Sequence, residues 1–198
     1  MIYYPAHRSI EALGPAWLES WRTVPSLMHG ANLYAEAVES APDGARFVEL
    51  GVYGGAGLLL LDALAKASGK RLELFGVDLW LDWPTPIPVT RNDVETTLAR
   101  WRCDAELVYA DTAKAAEQFA DRSCWFVYVD GDHKFESVLA DCRAWAPKVA
   151  DGGWIAGDDW DVGEVKQAVV TAFGDACIVT PGDAVTRVWR ADPRRLLP

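Results

Sequence analysis

A glycine-dense turn at residues 47–57, Phe-Val-Glu-Leu-Gly-Val-Tyr-Gly-Gly-Ala-Gly, constrains the fold of this chain more than any other stretch. The apolar run at residues 47–50 predicts a buried strand, and the Leu- and Ala-rich residues 58–67 predict a helix. Glycine between them lets the backbone turn tightly and lets a ligand come close. The first turn of the helix offers free N–H groups and the positive end of the helix dipole. The stretch therefore predicts a strand–turn–helix unit that binds a small, partly anionic ligand.

The spacing of the glycines distinguishes two kinds of nucleotide-binding turn. A dinucleotide fingerprint needs Gly-x-Gly-x-x-Gly, but Tyr53 stands at its second glycine when the count starts at Gly51. The pattern resembles instead the first motif of class I S-adenosylmethionine (SAM) methyltransferases, in the Glu-x-Gly-x-Tyr-Gly-Gly form of small-molecule O-methyltransferases. The resemblance implies that SAM is bound by Glu49, Gly51, Tyr53, Gly54 and Gly55. A turn with a purely structural role is the alternative.

Composition and charge limit the kinds of partner. The 198 residues suffice for one domain with a full core, and no apolar run approaches the roughly 20 residues of a membrane span. The net charge of −10 argues against nucleic acid and anionic membranes as partners. The first residues lack the pattern of a secretory signal, so we expect a cytoplasmic protein. The four cysteines show no metal-binding spacing, which indicates structural thiols.

Strand and helix patterns alternate along most of the chain. Apolar runs that predict strands are followed by helical patterns, and two short strands close the chain. These further strands are expected at residues 71–78, 106–111, 125–130, 152–157, 177–179 and 185–189. The order predicts a Rossmann-like α/β fold with a mostly parallel, seven-stranded sheet, an antiparallel last strand and helices on both faces. The resemblance implies the class I methyltransferase version of this fold.

The chain is expected to comprise an N-terminal helical segment, residues 1–44, packed on a SAM-binding core at residues 45–198. A helix is predicted at residues 26–40, where apolar residues recur at helical spacing before a Pro-Asp-Gly stop. His29, near the start of that helix, is interpreted as a partly exposed surface histidine. The apolar face of the helix could also pair with a second copy, which leaves a homodimer open.

Every strand of the parallel series ends in or beside an acidic residue. These residues are Glu49, Asp78, Asp111, Asp130 with Asp132, and Asp158 with Asp159. The carboxyl ends of parallel strands share one edge of the sheet, where α/β folds bind their ligands. Asp78 lies 27 residues beyond Gly51, where such folds place an acid that accepts from the ribose hydroxyls; capping of the next turn is the alternative. Asp111 either faces the adenine amino group or caps the following helix.

Four acids lie at the ends of the last two parallel strands: Asp130, Asp132, Asp158 and Asp159. A cofactor made of a nucleoside and an amino acid does not need so many. Carboxylates gathered at one edge repel each other unless they bind cations, share protons or face ligand donors. Several oxygen donors without cysteine indicate a hard cation, Mg²⁺ more readily than Zn²⁺.

Two motifs make a closer resemblance. Residues 128–137, Tyr-Val-Asp-Gly-Asp-His-Lys-Phe-Glu-Ser, and residues 152–159, Gly-Gly-Trp-Ile-Ala-Gly-Asp-Asp, are similar to metal-dependent sugar O-methyltransferases of the macrocin O-methyltransferase type. This resemblance implies that Mg²⁺ is held by Asp130, Asp158 and Asp159. It also implies that Asp132 is the general base and that Asp130 lies among the cofactor-binding residues.

His133 departs from that family, in which a tyrosine commonly stands near this place. The histidine is a second candidate for the base, because its side chain can accept a proton near neutral pH. A structural hydrogen bond to the loop of Asp158 is the alternative.

The expected function is Mg²⁺-assisted transfer of a methyl group from SAM to a hydroxyl of a sugar or another small polyhydroxylated molecule. An NAD(P)-dependent oxidoreductase is one alternative, although Tyr53 and the lack of a Tyr-x-x-x-Lys pair argue against it. A SAM-binding module without catalytic activity is another. Trp80, Trp83 and Trp160 are candidates for stacking on the acceptor, with core packing as the alternative.

Overall fold

Seven strands form one sheet in the computed structural model, which describes residues 7–27, 29–81, 87–181 and 187–198. The strands are β1 (Arg46–Leu50), β2 (Glu73–Asp78), β3 (Glu106–Tyr109), β4 (Cys124–Val129), β5 (Val149–Gly157), β6 (Ile178–Pro181) and β7 (Arg187–Ala191). Their order across the sheet is β3-β2-β1-β4-β5-β7-β6. Neighbours among β1 to β5 are parallel, whereas β7 is antiparallel to both β5 and β6. The predicted Rossmann-like sheet with an antiparallel last strand is confirmed.

Helices cover both faces of the sheet. The α-helices of the described residues are α1 (Arg8–Glu11), α2 (Pro15–Trp21), α3 (Ala31–Ser40), α4 (Ala56–Ala67), α5 (Arg91–Trp101), α6 (Thr112–Ala115), α7 (Phe135–Trp145) and α8 (Gly163–Phe173). Thr90 caps α5 in a reciprocal capping box with Asp93. None of these helices combines the length and apolar character that a membrane crossing requires.

The two faces of β1 and β4 point into two apolar clusters because side chains alternate along a strand. On one face, Phe47 and Phe126 pack with Tyr34 of α3 and with the leucines of α4. On the other, Val48 and Val127 pack with α6, α7 and α8. Burial on both faces explains why the central strands are nearly continuous apolar runs.

Helix α3 begins five residues later than predicted. The apolar spacing extended back to residue 26, but Gly30 is the N-cap and the residues before it are irregular. Residue 30 has no space for a side chain, since a Cβ there would overlap the hydroxyl of Tyr128. The segment before α3 therefore lies directly on the sheet, and His29 is carried inward with it.

Smaller differences concern strand ends. Strand β2 begins at Glu73 and β3 ends at Tyr109, so each is shorter than its apolar run. Strand β5 begins earlier, at Val149. The predicted start of the last strand, residues 185–186, and Trp83 lie outside the described residues.

Candidate functional site

The glycine turn after β1 is fixed by its contacts with the neighbouring strands. The Gly51 N–H donates to the carbonyl oxygen of Val77 at 2.9 Å, and the residue has φ of +86°. A Cβ at this position would overlap the backbone carbonyl of Asp130, so only glycine fits. At Gly54, a Cβ would overlap the carbonyl oxygen of Pro25 in the same way. These glycines are required by close backbone packing around the turn.

Tyr53 occupies a left-handed conformation within this turn. Its φ is +47°, an uncommon value for a residue with a side chain. The hydroxyl donates to the carbonyl oxygen of Ile87 at 2.7 Å, which ties the turn to the segment before α5. The resemblance implied that Tyr53 binds the cofactor, which stays a prediction; the structure shows its side chain holding the neighbouring segment.

Asp78, at the end of β2, caps the glycine turn. Its Oδ2 accepts from the backbone N–H groups of Val52 at 2.8 Å and Tyr53 at 3.2 Å. Its Oδ1 accepts from the N–H of Trp80 at 2.7 Å. The capping alternative is therefore present in the structure. A carboxylate has about four acceptor sites, so the ribose role stays a prediction for the one left at Oδ1.

Glu49 lies beneath the turn and is buried, with 3% of its surface exposed. Its Oε1 accepts from the Tyr34 hydroxyl at 2.8 Å, whereas Oε2 has no hydrogen-bond partner among the described residues. Burial raises the pKa of Glu49 to about 8, although the Tyr34 hydrogen bond opposes the shift. We expected Glu49 to face ligand donors, but the donor that it meets is a core tyrosine. The sequence pattern did not indicate this partner.

Asp111 is exposed and caps the short helix α6, because its side chain accepts from the Lys114 N–H at 3.1 Å. This is the second of the two roles considered for it. The adenine role stays a prediction for the oxygen that the cap does not use.

Asp158 and His29 form the innermost part of the acidic edge. Only 2% of Asp158 is exposed. Its Oδ1 accepts from the Asp159 N–H at 2.8 Å, and its Oδ2 accepts from the His29 N–H at 3.0 Å. The Nδ1 of His29 lies 3.1 Å from the same Oδ2. The interpretation of His29 as a surface histidine is wrong, because the segment before α3 packs against the end of β5.

Asp159 pairs with the second histidine. Its Oδ2 lies 3.0 Å from Nε2 of His133, and the residue has a left-handed φ of +54°. The hydrogen bond raises the pKa of His133 above its usual range and lowers that of Asp159, in each case against the effect of burial. A charged His133 is thus stabilised by the acid beside it. Both aspartates of the predicted metal pair consequently contact a histidine.

Asp130 and Tyr128 lie on the same face of the sheet, two residues apart at the end of β4. Burial and the charges of Asp158, Glu49 and Asp159 raise the pKa of Asp130 well above its usual range. The Tyr128 hydroxyl is buried without a hydrogen-bond partner among the described residues, and nearby Asp158 and Asp130 contribute to its raised pKa. Tyr128 was not predicted as a site residue, although its position two residues before Asp130 places it on the same face of the strand.

Asp132 stands beside this group. Its Oδ2 accepts from the Ser137 hydroxyl at 2.8 Å, which ties it to the first turn of α7. Its charge contributes to the raised pKa of His133. Within the part of the chain that the structure describes, Asp132 Oδ1 has no hydrogen-bond partner, and its role as base stays a prediction.

Two groups of side chains in the described residues bring three ligand atoms within 4.8 Å of one another. They are His29 with Asp158 and Asp159, and Asp130 with His133 and Asp159. The predicted set of Asp130, Asp158 and Asp159 is not one of them. Both groups fit a divalent cation by number and proximity of donors, and each adds one nitrogen to the oxygens.

The tryptophans proposed for acceptor stacking differ in their surroundings. The Trp80 ring is nearly parallel to that of Tyr109, with 6.4 Å between centroids and an interplanar angle of 8°. Its Nε1 is buried without a partner in the described residues. Trp160 is buried in the core, 7% exposed, with the Lys166 ammonium over its ring. Core packing thus accounts for Trp160, while Trp80 lies beside the glycine turn.

Unpaired buried atoms concentrate at this edge of the sheet. Of the five such side-chain atoms in the described residues, three are Glu49 Oε2, Trp80 Nε1 and the Tyr128 hydroxyl. Buried polar groups are normally paired, so an accumulation of unpaired ones fits a site completed by a ligand.

Comparison with known proteins agrees with this geometry. Residues 48–160, more than half of the chain, match the family model described as a methyltransferase domain. No curated protein sequence is significantly similar to the chain. Among solved structures, the O-methyltransferase NovP is 17% identical with a TM-score of 0.65, over 81% of this chain and 78% of that one.

Two further structures have the same fold. The calicheamicin methyltransferase CalS11 is 17% identical with a TM-score of 0.61, over 90% of this chain and 80% of that one. Cofactor-bound Rv0187 from MTB is 14% identical with a TM-score of 0.61, over 94% and 90%. The chain therefore belongs to the methyltransferase domain family, as an enzyme of the class I, SAM-dependent type.

Proposed function

We propose that this methyltransferase transfers the SAM methyl group to a hydroxyl of a small polyhydroxylated molecule, with the help of a divalent cation. The observation that carries the proposal is the cluster of Asp130, Asp158 and Asp159 with two histidines at the edge that also holds the glycine turn. Structural neighbours described as the O-methyltransferase NovP and as a TDP-rhamnose 3'-O-methyltransferase support a hydroxyl acceptor.

The glycine turn and the groups around it are the proposed cofactor site. SAM supplies an activated methyl group on its sulfonium. The free acceptor capacity of Asp78 suits a ribose hydroxyl, and Trp80 with Tyr109 offers an aromatic surface next to it. The unpaired oxygen of Glu49 lies beneath the turn, where it could accept from a donor of the cofactor. These groups would orient the cofactor with its methyl group toward the end of β4.

The acceptor would lie against the outer part of the acidic edge, where side chains are accessible. His133 is 42% exposed, whereas Asp158 is almost fully buried. A divalent cation bound there would favour the ionised form of an acceptor hydroxyl. Asp132, whose Oδ2 is held by the Ser137 hydroxyl, would take up the hydroxyl proton.

Conversion of SAM to S-adenosylhomocysteine is the direct test. The purified protein would be incubated with a panel of sugars, nucleotide sugars and polyphenols, with Mg²⁺ or Mn²⁺ and with excess chelator. We expect turnover with at least one polyhydroxylated acceptor and loss of turnover with chelator. Exposed Glu117 offers a control, since Glu117→Gln should leave turnover unchanged.

Three results would contradict the proposal in different ways. SAM binding without transfer to any hydroxylated compound would favour a module that only binds SAM. Tight binding of NAD(P) in place of SAM would favour the oxidoreductase alternative. Full activity in excess chelator would show that the reaction needs no cation, while the proposed O-methyl transfer would stand.

A further inference from the structure

We propose that the cation site is formed by Asp130, His133 and Asp159, with the His133 imidazole as a direct ligand, and that it prefers a first-row transition metal to Mg²⁺. In this arrangement Asp158 is not a ligand but anchors His29. The inference rests on the proposed function for the role of the ion in transfer, whereas binding of the ion can be measured on the protein alone.

The spacing of the donors suits one ion. Ligand atoms of Asp130, His133 and Asp159 lie within 4.8 Å of one another. The 3.0 Å between His133 Nε2 and Asp159 Oδ2 equals the edge of an octahedron whose ligands are about 2.1 Å from the metal. An ion can therefore replace this hydrogen bond with little movement of either side chain.

The Asp158 carboxylate is already hydrogen-bonded within the protein. Both of its oxygens accept backbone N–H groups, those of Asp159 and His29, and it is almost fully buried. Gly30 packs directly on Tyr128, which fixes the segment that carries these donors. An ion held by Asp158 and His29 would have to enter between two groups that are in contact, of which Asp158 is 1% and His29 is 23% exposed. The group around His133 is open by comparison, with 42% of that side chain and 22% of Asp159 exposed.

A buried hydroxyl provides independent support for a ligand at this place. Tyr128 is completely buried, and its hydroxyl has no hydrogen-bond partner among the described residues. The hydroxyl lies against Gly30, next to the His29 that contacts Asp158. A polar group left unpaired beside a cluster of acids is unfavourable unless something else completes the cluster.

The chemistry of the donors determines which ion is preferred. Mg²⁺ and Ca²⁺ favour oxygen ligands, whereas imidazole nitrogen suits Mn²⁺, Fe²⁺, Co²⁺ and Zn²⁺ better. Two carboxylates and one imidazole leave open positions for water or for acceptor hydroxyls. The imidazole of His133 therefore shifts the preference of the site from Mg²⁺ toward these transition metals.

Pulsed electron paramagnetic resonance with Mn²⁺ alone tests the inference. Coupling to nitrogen-14 reports an imidazole bound directly to the ion. We expect this coupling in the wild-type protein and in the His29→Gln variant, and we expect its loss in His133→Gln. Calorimetric titration should show Mn²⁺ affinity reduced by about tenfold or more in His133→Gln. The Mg²⁺ affinity of the same variant should change much less, and circular dichroism would verify that each variant is folded.

Three outcomes would overturn the inference. They are a wild-type spectrum without nitrogen coupling, loss of coupling in His29→Gln rather than in His133→Gln, and absence of Mn²⁺ binding. The wild-type spectrum alone can decide, so the test does not depend on folding of a variant. Because neither SAM nor an acceptor is present, failure here is distinct from failure of methyl transfer, which the conversion assay measures.

Discussion

Replacing the buried acid Glu49 by glutamine should change how stability depends on pH. Burial raises the pKa of Glu49 from 4.5 to about 8 in the folded protein. Between these values the carboxyl is protonated when the chain is folded and ionised when it is unfolded. The unfolded state therefore binds fewer protons, and the free energy of unfolding falls as the pH rises through this range. Above about pH 8 the contribution is constant.

The size of the effect follows from the two pKa values. One pKa unit corresponds to about 1.4 kcal/mol. Between pH 5 and pH 7, ionisation of Glu49 should lower the free energy of unfolding by about 2.5 kcal/mol. Glutamine has the same shape and can still accept from the Tyr34 hydroxyl, but it does not ionise. Glu49→Gln should thus remove this part of the pH dependence and gain stability relative to wild type as the pH rises.

Urea unfolding at a series of pH values from 5 to 8 would measure this difference. Asp130 and Asp141 also have raised pKa values, so the wild-type slope contains their contributions as well. The comparison of wild type with Glu49→Gln isolates the one carboxyl. Exposed Glu117→Gln is the matched control and should follow the wild-type curve.

Parallel curves for wild type and Glu49→Gln would refute the reasoning. They would mean that Glu49 is already ionised in the folded protein near pH 5, and hence that it meets a positive charge or more donors than the structure shows. If Glu49→Gln instead loses the same amount of stability at every pH, Glu49 contributes through packing and does not hold a buried proton.

Three further substitutions test single contacts. Gly51→Ala should abolish SAM binding in calorimetry because the added Cβ overlaps the Asp130 carbonyl. Gly44→Ala is the control and should retain binding, since Gly44 has a similar φ of +78° but open space around it. Equal effects of the two substitutions would contradict the steric argument. Tyr34→Phe should lower the free energy of unfolding by about 1–3 kcal/mol because it leaves a buried acceptor unpaired, and an unchanged urea midpoint would contradict this. Thr90→Ala should cost about 1 kcal/mol through loss of the α5 cap, with no change in SAM affinity; a larger loss would indicate a role beyond capping.

Most of the fold could be predicted because its signals are local. Helices α7 and α8 have regular apolar spacing and follow strands β4 and β5, as the alternation of strand and helix patterns predicts. The predicted start of helix α3 was too early because the apolar spacing continues before Gly30. What stops it there is the contact of Gly30 with Tyr128, which lies far away in sequence.

The candidate site could be predicted only in part, because several of its contacts join residues that lie far apart in sequence. An acid at the end of a strand can cap a turn or face a ligand, and local sequence does not separate these roles; Asp78 and Asp111 both cap. The partner of Glu49 is a tyrosine on α3, and that of Asp158 is a histidine 129 residues away. Such contacts depend on tertiary packing, which strand and helix patterns do not specify.

The link between His29 and Asp158 has a consequence for any shortened form of the protein. The two residues close a loop of more than a hundred residues, so the edge of the sheet is complete only after both have been synthesised and have met. A chain that begins after Gly30 would keep every strand of the sheet. It would nevertheless leave the buried carboxylate of Asp158 without the N–H donor of His29.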